Sequence, residues 1–217
     1  MIISELKPFE QVIDSLKEYK NIFLIGCGEC ATSCKSGGEE QLLDIKKKLE
    51  GAGKTVLGMC VPESTCIAAK LKTEIAKNTK EIRQAEAVLV LACGLGVQSV
   101  KDNDRFGLEV FPGCNTSFAA VMDSQGNFNE KCSMCGNCVL DITSGICPVT
   151  LCPKGLLNGP CGGMNKGKCE LDQDKDCAWV LIFKEAQKGE KLERFKKINP
   201  PKDFNKTTKP HNLVVNK

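Results

Sequence analysis

Apolar residues Phe9, Val12, Ile13 and Leu16 recur at helical spacing behind Pro8 and predict a helix over residues 8–19. Ile22 to Ile25 is then an unbroken apolar run, read as a strand that ends at Gly26-Cys27. Leu42, Ile45 and Leu49 predict a helix over 39–50, closed by Gly51 and Gly53. Thr55 to Met59 reads as a second strand ending at Cys60. Ile67, Leu71, Ile75 and Ile82 set a helix over 66–84, and Ala87 to Ala92 is a third strand ending at Cys93. A helix through Val97 and Val100 leads to a fourth run, Leu108 to Phe111, which ends near Cys114. Strands that alternate with helices need crossover connections, and these give a parallel sheet with helices on its faces. Residues 1–125 are therefore expected to form a small Rossmann-like or flavodoxin-like α/β domain.

From about residue 126 the periodicity is lost, and Gly, Pro, Asn and Cys dominate until Trp179. Residues 126–198 are expected to be a loop-rich, cysteine-rich metal-binding domain, ordered by metal rather than by a core. Trp179, Ile182, Phe183 and Ala186 predict a closing helix with an apolar stripe. Residues 199–217, opening Asn199-Pro200-Pro201-Lys202, are polar and hostile to helix, and are expected to be an extended tail, disordered or held by a partner.

Composition narrows the classes. Thirty basic and twenty-seven acidic residues nearly cancel, so charge points neither to nucleic acid nor to a membrane surface, and Lys46-Lys47-Lys48 reads as a solvated helix face. The longest apolar run, Ala87 to Val97, is far short of the roughly 20 residues of a membrane span. The first twenty residues carry acids and lysines where a signal peptide needs an apolar stretch, so a cytoplasmic protein is expected. There, clustered cysteines bind metal or do redox chemistry more often than they form disulfides, and an odd total of fifteen does not suit full pairing.

Eight of the fifteen cysteines are Cys132, Cys135, Cys138, Cys147, Cys152, Cys161, Cys169 and Cys177, enough thiolates for two four-cysteine centres. Cys-x2-Cys-x2-Cys, as in Cys132 to Cys138, lets one loop wrap three corners of an iron–sulfur cube. Zinc sites usually present two separated Cys-x2-Cys pairs or mix in histidine, and the single histidine here, His211, lies in the tail. The spacing favours two [4Fe-4S] clusters over zinc. Their ligands divide either locally, Cys132, Cys135, Cys138 and Cys147 against Cys152, Cys161, Cys169 and Cys177, or by a ferredoxin-like exchange of fourth ligands. In the first domain Cys27, Cys60, Cys93 and Cys114 each stand at or just past a strand's C-terminal end, the edge where open α/β sheets take their ligands. Cys27, Cys30 and Cys34 with Cys60, Cys66 and Cys93 are candidates for a third centre, [4Fe-4S] or zinc; the alternative for any one of them is a buried structural thiol. Cys114 is the weakest candidate of the seven. Gly26-x-Gly28 and Gly94-x-Gly96 stop short of a dinucleotide fingerprint, no flavin signature is present, and no nucleophile–histidine pair suggests a catalytic residue.

Gly26-Cys27-Gly28-x-Cys30-x3-Cys34, Cys132-x2-Cys135-x2-Cys138, Cys147-Pro148, Leu157-Asn-Gly-Pro-Cys161-Gly-Gly163, Cys169 and Cys177-Ala-Trp179 together resemble the methylenetetrahydrofolate reductase C-terminal-domain family. Its stand-alone members are MetV-like small subunits of two-subunit reductases, described variously as iron–sulfur or zinc proteins. The resemblance implies an oxidoreductase subunit that does not itself bind folate. It also implies a flavin-bearing TIM-barrel partner that reduces methylenetetrahydrofolate, with electrons exchanged with ferredoxin or a larger electron-transfer complex. The other reading of the same residues is a zinc-stabilised scaffold that docks the catalytic subunit and carries no electrons.

Overall fold

The computed structural model describes residues 1–214, which divide into two compact units, Met1–Phe118 and the described residues from Ala119 onward. In the first unit the order is β1 (Ile2–Leu6), α1 (Phe9–Ser15), β2 (Asn21–Ile25), α2 (Cys30–Ser33), α3 (Glu39–Gly51), β3 (Thr55–Cys60), α4 (Ala68–Lys77), α5 (Thr79–Ile82), β4 (Ala87–Val90), α6 (Gly94–Asn103) and β5 (Glu109–Pro112). Strand β6 (Cys114–Met122) begins in the first unit, and β7 (Phe128–Cys132), α7 (Pro148–Leu151) and α8 (Ala178–Lys188) belong to the second.

Strands β3, β2, β4 and β5 form a parallel sheet in that order, with Ile22 to Ile25 of β2 in register with Ala87 to Val90 of β4. The expected α/β fold is thus present. Each central strand feeds both faces. Phe23, Ile25, Val88 and Val90 pack with Leu71, Ile82 and Val100 from α4, α5 and α6. Ile22, Leu24, Leu89 and Leu91 pack with Val12, Leu16, Leu42 and Leu49 from the α1 and α3 side. Burial on both faces is why β2 and β4 read as continuous apolar runs, and each buried Leu or Ile contributes about 1.5–3 kcal/mol.

Three local features depart from the sequence pattern. The helix expected over 66–84 breaks at Asn78, whose side chain donates to the Glu74 carbonyl while the Thr79 hydroxyl bonds to Ile75 and Ala76; polar side chains here compete for the helical carbonyls. Strand β1, absent from the sequence reading, runs beside β6. From Ala119 onward β6 pairs antiparallel with β7 around a turn in which Asp123 accepts from the Gln125 and Asn127 amides. These strands are half-exposed, so apolar periodicity is faint in them. No helix among the described residues is long and apolar enough to cross a membrane.

Glu86 ties the N-terminal ends of two strands together. Its carboxylate accepts from the Asn21 and Lys20 amides at 2.8 and 2.5 Å, and these bonds hold its pKa below the ordinary carboxylate value. A depressed folded-state pKa contributes stability that is present above the unfolded value, about 4.3, and is lost as pH falls through the folded value. Glu86→Gln should therefore lower stability at neutral pH and flatten the acid limb of a stability–pH profile; an unchanged limb, measured by urea unfolding, would remove Glu86 from that role.

Candidate metal-binding cysteines

The second unit presents its cysteines on turns. In the loop after β7, Met134 and Gly136 adopt left-handed backbone at φ 54° and 72°, which turns the chain between Cys132 and Cys138. The Met134 amide donates to Cys132 Sγ at 3.3 Å. Lys202 Nζ lies 2.7 Å from Cys135 Sγ and 2.6 Å from the Asn137 carbonyl, and the lysine hydrogen bond holds the Cys135 thiol below its ordinary pKa. Cys147 caps α7 with Pro148 in the first turn, and Thr150 Oγ1 donates to its sulfur at 3.6 Å. Helix α7 packs against β7, the strand that ends at Cys132.

The other four converge more closely. Cys152, Cys161, Cys169 and Cys177 all line one cavity of about 20 Å³, together with Met164, Glu170 and Trp179. Cys161 Sγ lies 3.2 Å from a Glu170 carboxylate oxygen that also pairs with Lys154. Cys177 caps α8, and its amide donates to the Gly167 carbonyl at 2.8 Å, which pins the turn just before Cys169 to the helix start. The closing helix expected from the sequence is α8, and it brings a core of its own. Trp179 and Ile182 are buried with Cys177 against Ile146, Leu156, Met164 and Phe195. A small core therefore helps to order the unit, where metal alone was expected.

The polar tail docks instead of trailing. The Asn199 amide donates to Asn158 Oδ1 at 2.7 Å, Asn158 Nδ2 returns a bond to the Asn199 carbonyl at 2.9 Å, and Lys202 reaches the Cys135 loop. Residues 215–217 of the expected tail lie outside the described residues. Lys202 and the Lys154–Glu170 pair had no sequence signal, because each acts on a cysteine through folding and not through spacing.

In the first unit Cys27 and Cys60 are buried in the core on the α4–α6 face, and burial pushes the Cys60 thiol up to about 12. Cys66 is exposed and lies 3.7 Å from Ser64 Oγ. Cys30 opens α2, Cys34 ends it, and Cys93 caps α6. Among the described residues no three His, Cys, Asp or Glu side chains are gathered as the ligand shell of one ion. The donor sets nonetheless fit iron–sulfur or zinc chemistry, since both take four thiolates.

Residues 111–205 match a family model described as Methylene-tetrahydrofolate reductase C terminal. The matched stretch holds all eight cysteines of the second unit, Lys202 and the Trp179 core. No curated protein and no solved structure matches the chain.

Proposed function

For a chain whose residues 111–205 match the methylene-tetrahydrofolate reductase C-terminal family, we propose a MetV-like electron-transfer subunit that works beside a flavin-bearing TIM-barrel reductase subunit. Cys132, Cys135, Cys138 and Cys147 would hold one [4Fe-4S] cluster and Cys152, Cys161, Cys169 and Cys177 the other. Such clusters, when bound, pass one electron at a time between a donor such as ferredoxin, or a larger electron-transfer complex, and the partner's flavin. The observation that carries the reading is the family match over residues 111–205, which spans all eight cysteines of the second unit.

The chain's own residues prepare these sites. Lys202 places a cation against Cys135 and favours its thiolate, the form that binds metal. Pro148 and Pro153, each following a cysteine, fix the backbone where α7 starts and stops. An apolar cavity of about 340 Å³ between Trp179, Phe183, Leu192, Phe195 and Ile198 offers surface of the kind a partner subunit covers.

Anaerobically purified protein should carry about eight irons with matching sulfide, and Cys135→Ser should remove about half of both. Zinc with negligible iron would defeat electron transfer and support the scaffold reading. One observation favours that second reading at one site: a cavity of about 20 Å³ has the room of a single small ion or water.

A further inference from the structure

The apolar cavity of about 340 Å³ beside Trp179 has anchored walls. Trp179 and Phe183, four positions apart, share one side of α8. Trp179 is 5% exposed and Phe183 49%, so this stripe leaves the core of the second unit and continues along the cavity. A second wall is the 3-10 turn Leu192–Lys196, which supplies Leu192 and Phe195. Arg194 of that turn donates to the Asp141 carbonyl at 2.7 Å, and Phe195 meets the Trp179 ring edge to face, so the turn is held from two directions. Ile198, just past the turn, also lines the cavity and is 80% exposed.

The polar groups of the lining narrow the choice of occupant. Asn158 Nδ2 already donates to the Asn199 carbonyl at 2.9 Å, Asn199 Nδ2 to the Leu157 carbonyl at 3.1 Å, and Trp179 Nε1 to the Leu156 carbonyl at 2.8 Å. A small-molecule site needs convergent polar groups to orient its ligand, and here the amide and indole donors are committed to backbone. Apolar contact and lysine charge remain as the means of recognition. Lys196 and Lys197 both line the cavity and are exposed. Lys196 shares its charge with Glu193 at 2.7 Å, whereas Lys197 forms no ion pair among the described residues. Residues 184–202 hold seven basic and three acidic side chains, a net charge of +4 where the whole chain carries +3. An apolar cleft within the one strongly basic stretch of a nearly neutral chain calls for an occupant that is apolar at its centre and acidic around it.

We propose that this cavity docks an acidic segment of the partner polypeptide, which inserts one large apolar side chain between Phe183, Leu192 and Ile198 and sets carboxylates against Lys196 and Lys197. The proposal rests on the reading of the chain as one subunit of a reductase and gives the flavin-bearing subunit a place and a chemistry of contact. The buried anchor supplies most of the affinity, and the lysines steer the encounter.

Titration of the anaerobically purified full chain with the flavin-bearing subunit, followed by calorimetry and stopped-flow mixing, tests it. Ile198→Asp and Phe183→Asp should each weaken the complex at least tenfold, because each puts a carboxylate where the apolar anchor lands. Lys196→Glu combined with Lys197→Glu should weaken it severalfold, chiefly through slower association, and should flatten its dependence on salt. All four positions are exposed, so iron content and Trp179 fluorescence should match those of the unmutated chain. Leu43→Asp, at a position 42% exposed on α3, should leave binding unchanged. A carbodiimide, which joins amines to carboxylates in contact, should link Lys196 or Lys197 to an Asp or Glu of the partner. Affinity unchanged in both apolar variants would overturn this surface and leave the subunit reading standing. Affinity and salt dependence unchanged in the double lysine variant would overturn the acidic character of the occupant. No complex with the unmutated chain would overturn the subunit reading and this surface with it. If Ile198→Asp instead abolishes self-association of the chain, or its binding to phosphatidylglycerol vesicles, the occupant is a second copy or an anionic membrane, and the assignment to an acidic partner segment fails.

Discussion

Gly37→Ala should cost the first unit about 3 kcal/mol or more, a loss that urea unfolding would read directly. A methyl group at Gly37 would sit 1.8 Å from the Leu91 carbonyl oxygen and 2.9 Å from Ala31 Cβ. Neither side has freedom to retreat. The Leu91 amide is bonded to Ile25 at 2.8 Å, inside the central pair of strands, and the Gly37 carbonyl accepts the Cys27 amide at 2.9 Å. The clash is with backbone, so no rotamer change relieves it, and the loop that carries Cys30 and Cys34 would have to lift off the sheet. Gly51→Ala is the matched control, because a methyl group there meets nothing within 4 Å and the helix end would gain about 0.5–1 kcal/mol from the better propensity of alanine. Equal effects of the two substitutions would mean that the loop is not anchored through Gly37.

The contrast between those two glycines shows what the sequence conveys and what it hides. Gly37 stands beside Gly38 and Gly51 two residues before Gly53, so both read as loop-forming glycines, and only the folded backbone distinguishes them. The parallel sheet was readable because β2 and β4 are buried on both faces and so are written as apolar runs. Helices α3 and α8 were readable from apolar residues one and two turns apart. Strand β1 and the β6–β7 hairpin were not, since their burial is partial and β1 finds its partner β6 only far along the chain. The number and spacing of the cysteines raise the expectation of metal chemistry. The gathering of Cys152, Cys161, Cys169 and Cys177 on one cavity needed the folded chain, as did the approach of Lys202 to Cys135 across 67 positions.

Trp179→Ala should be the most damaging single change in the second unit, at about 3–5 kcal/mol, the range for truncating a buried aromatic side chain. Trp179 is 5% exposed, and its indole Nε1 donates to the Leu156 carbonyl at 2.8 Å. Its ring meets Phe195 edge to face at 6.1 Å between centroids. The substitution empties the middle of a small core in which Cys177 and Ile182 are the other buried members, so the cavity has little left to collapse on. The same residue lines the cavity of Cys152, Cys161, Cys169 and Cys177, so the core and the four thiols share a wall. Trp179→Phe keeps most of the volume and loses the hydrogen bond, and should cost about 1–2 kcal/mol. Hydrogen exchange of the α8 amides in the chelated protein separates two sources of order. If the core holds the unit, α8 stays protected without metal and opens in Trp179→Ala. If metal holds it, chelation alone opens α8, and the substitution adds little once the metal is gone.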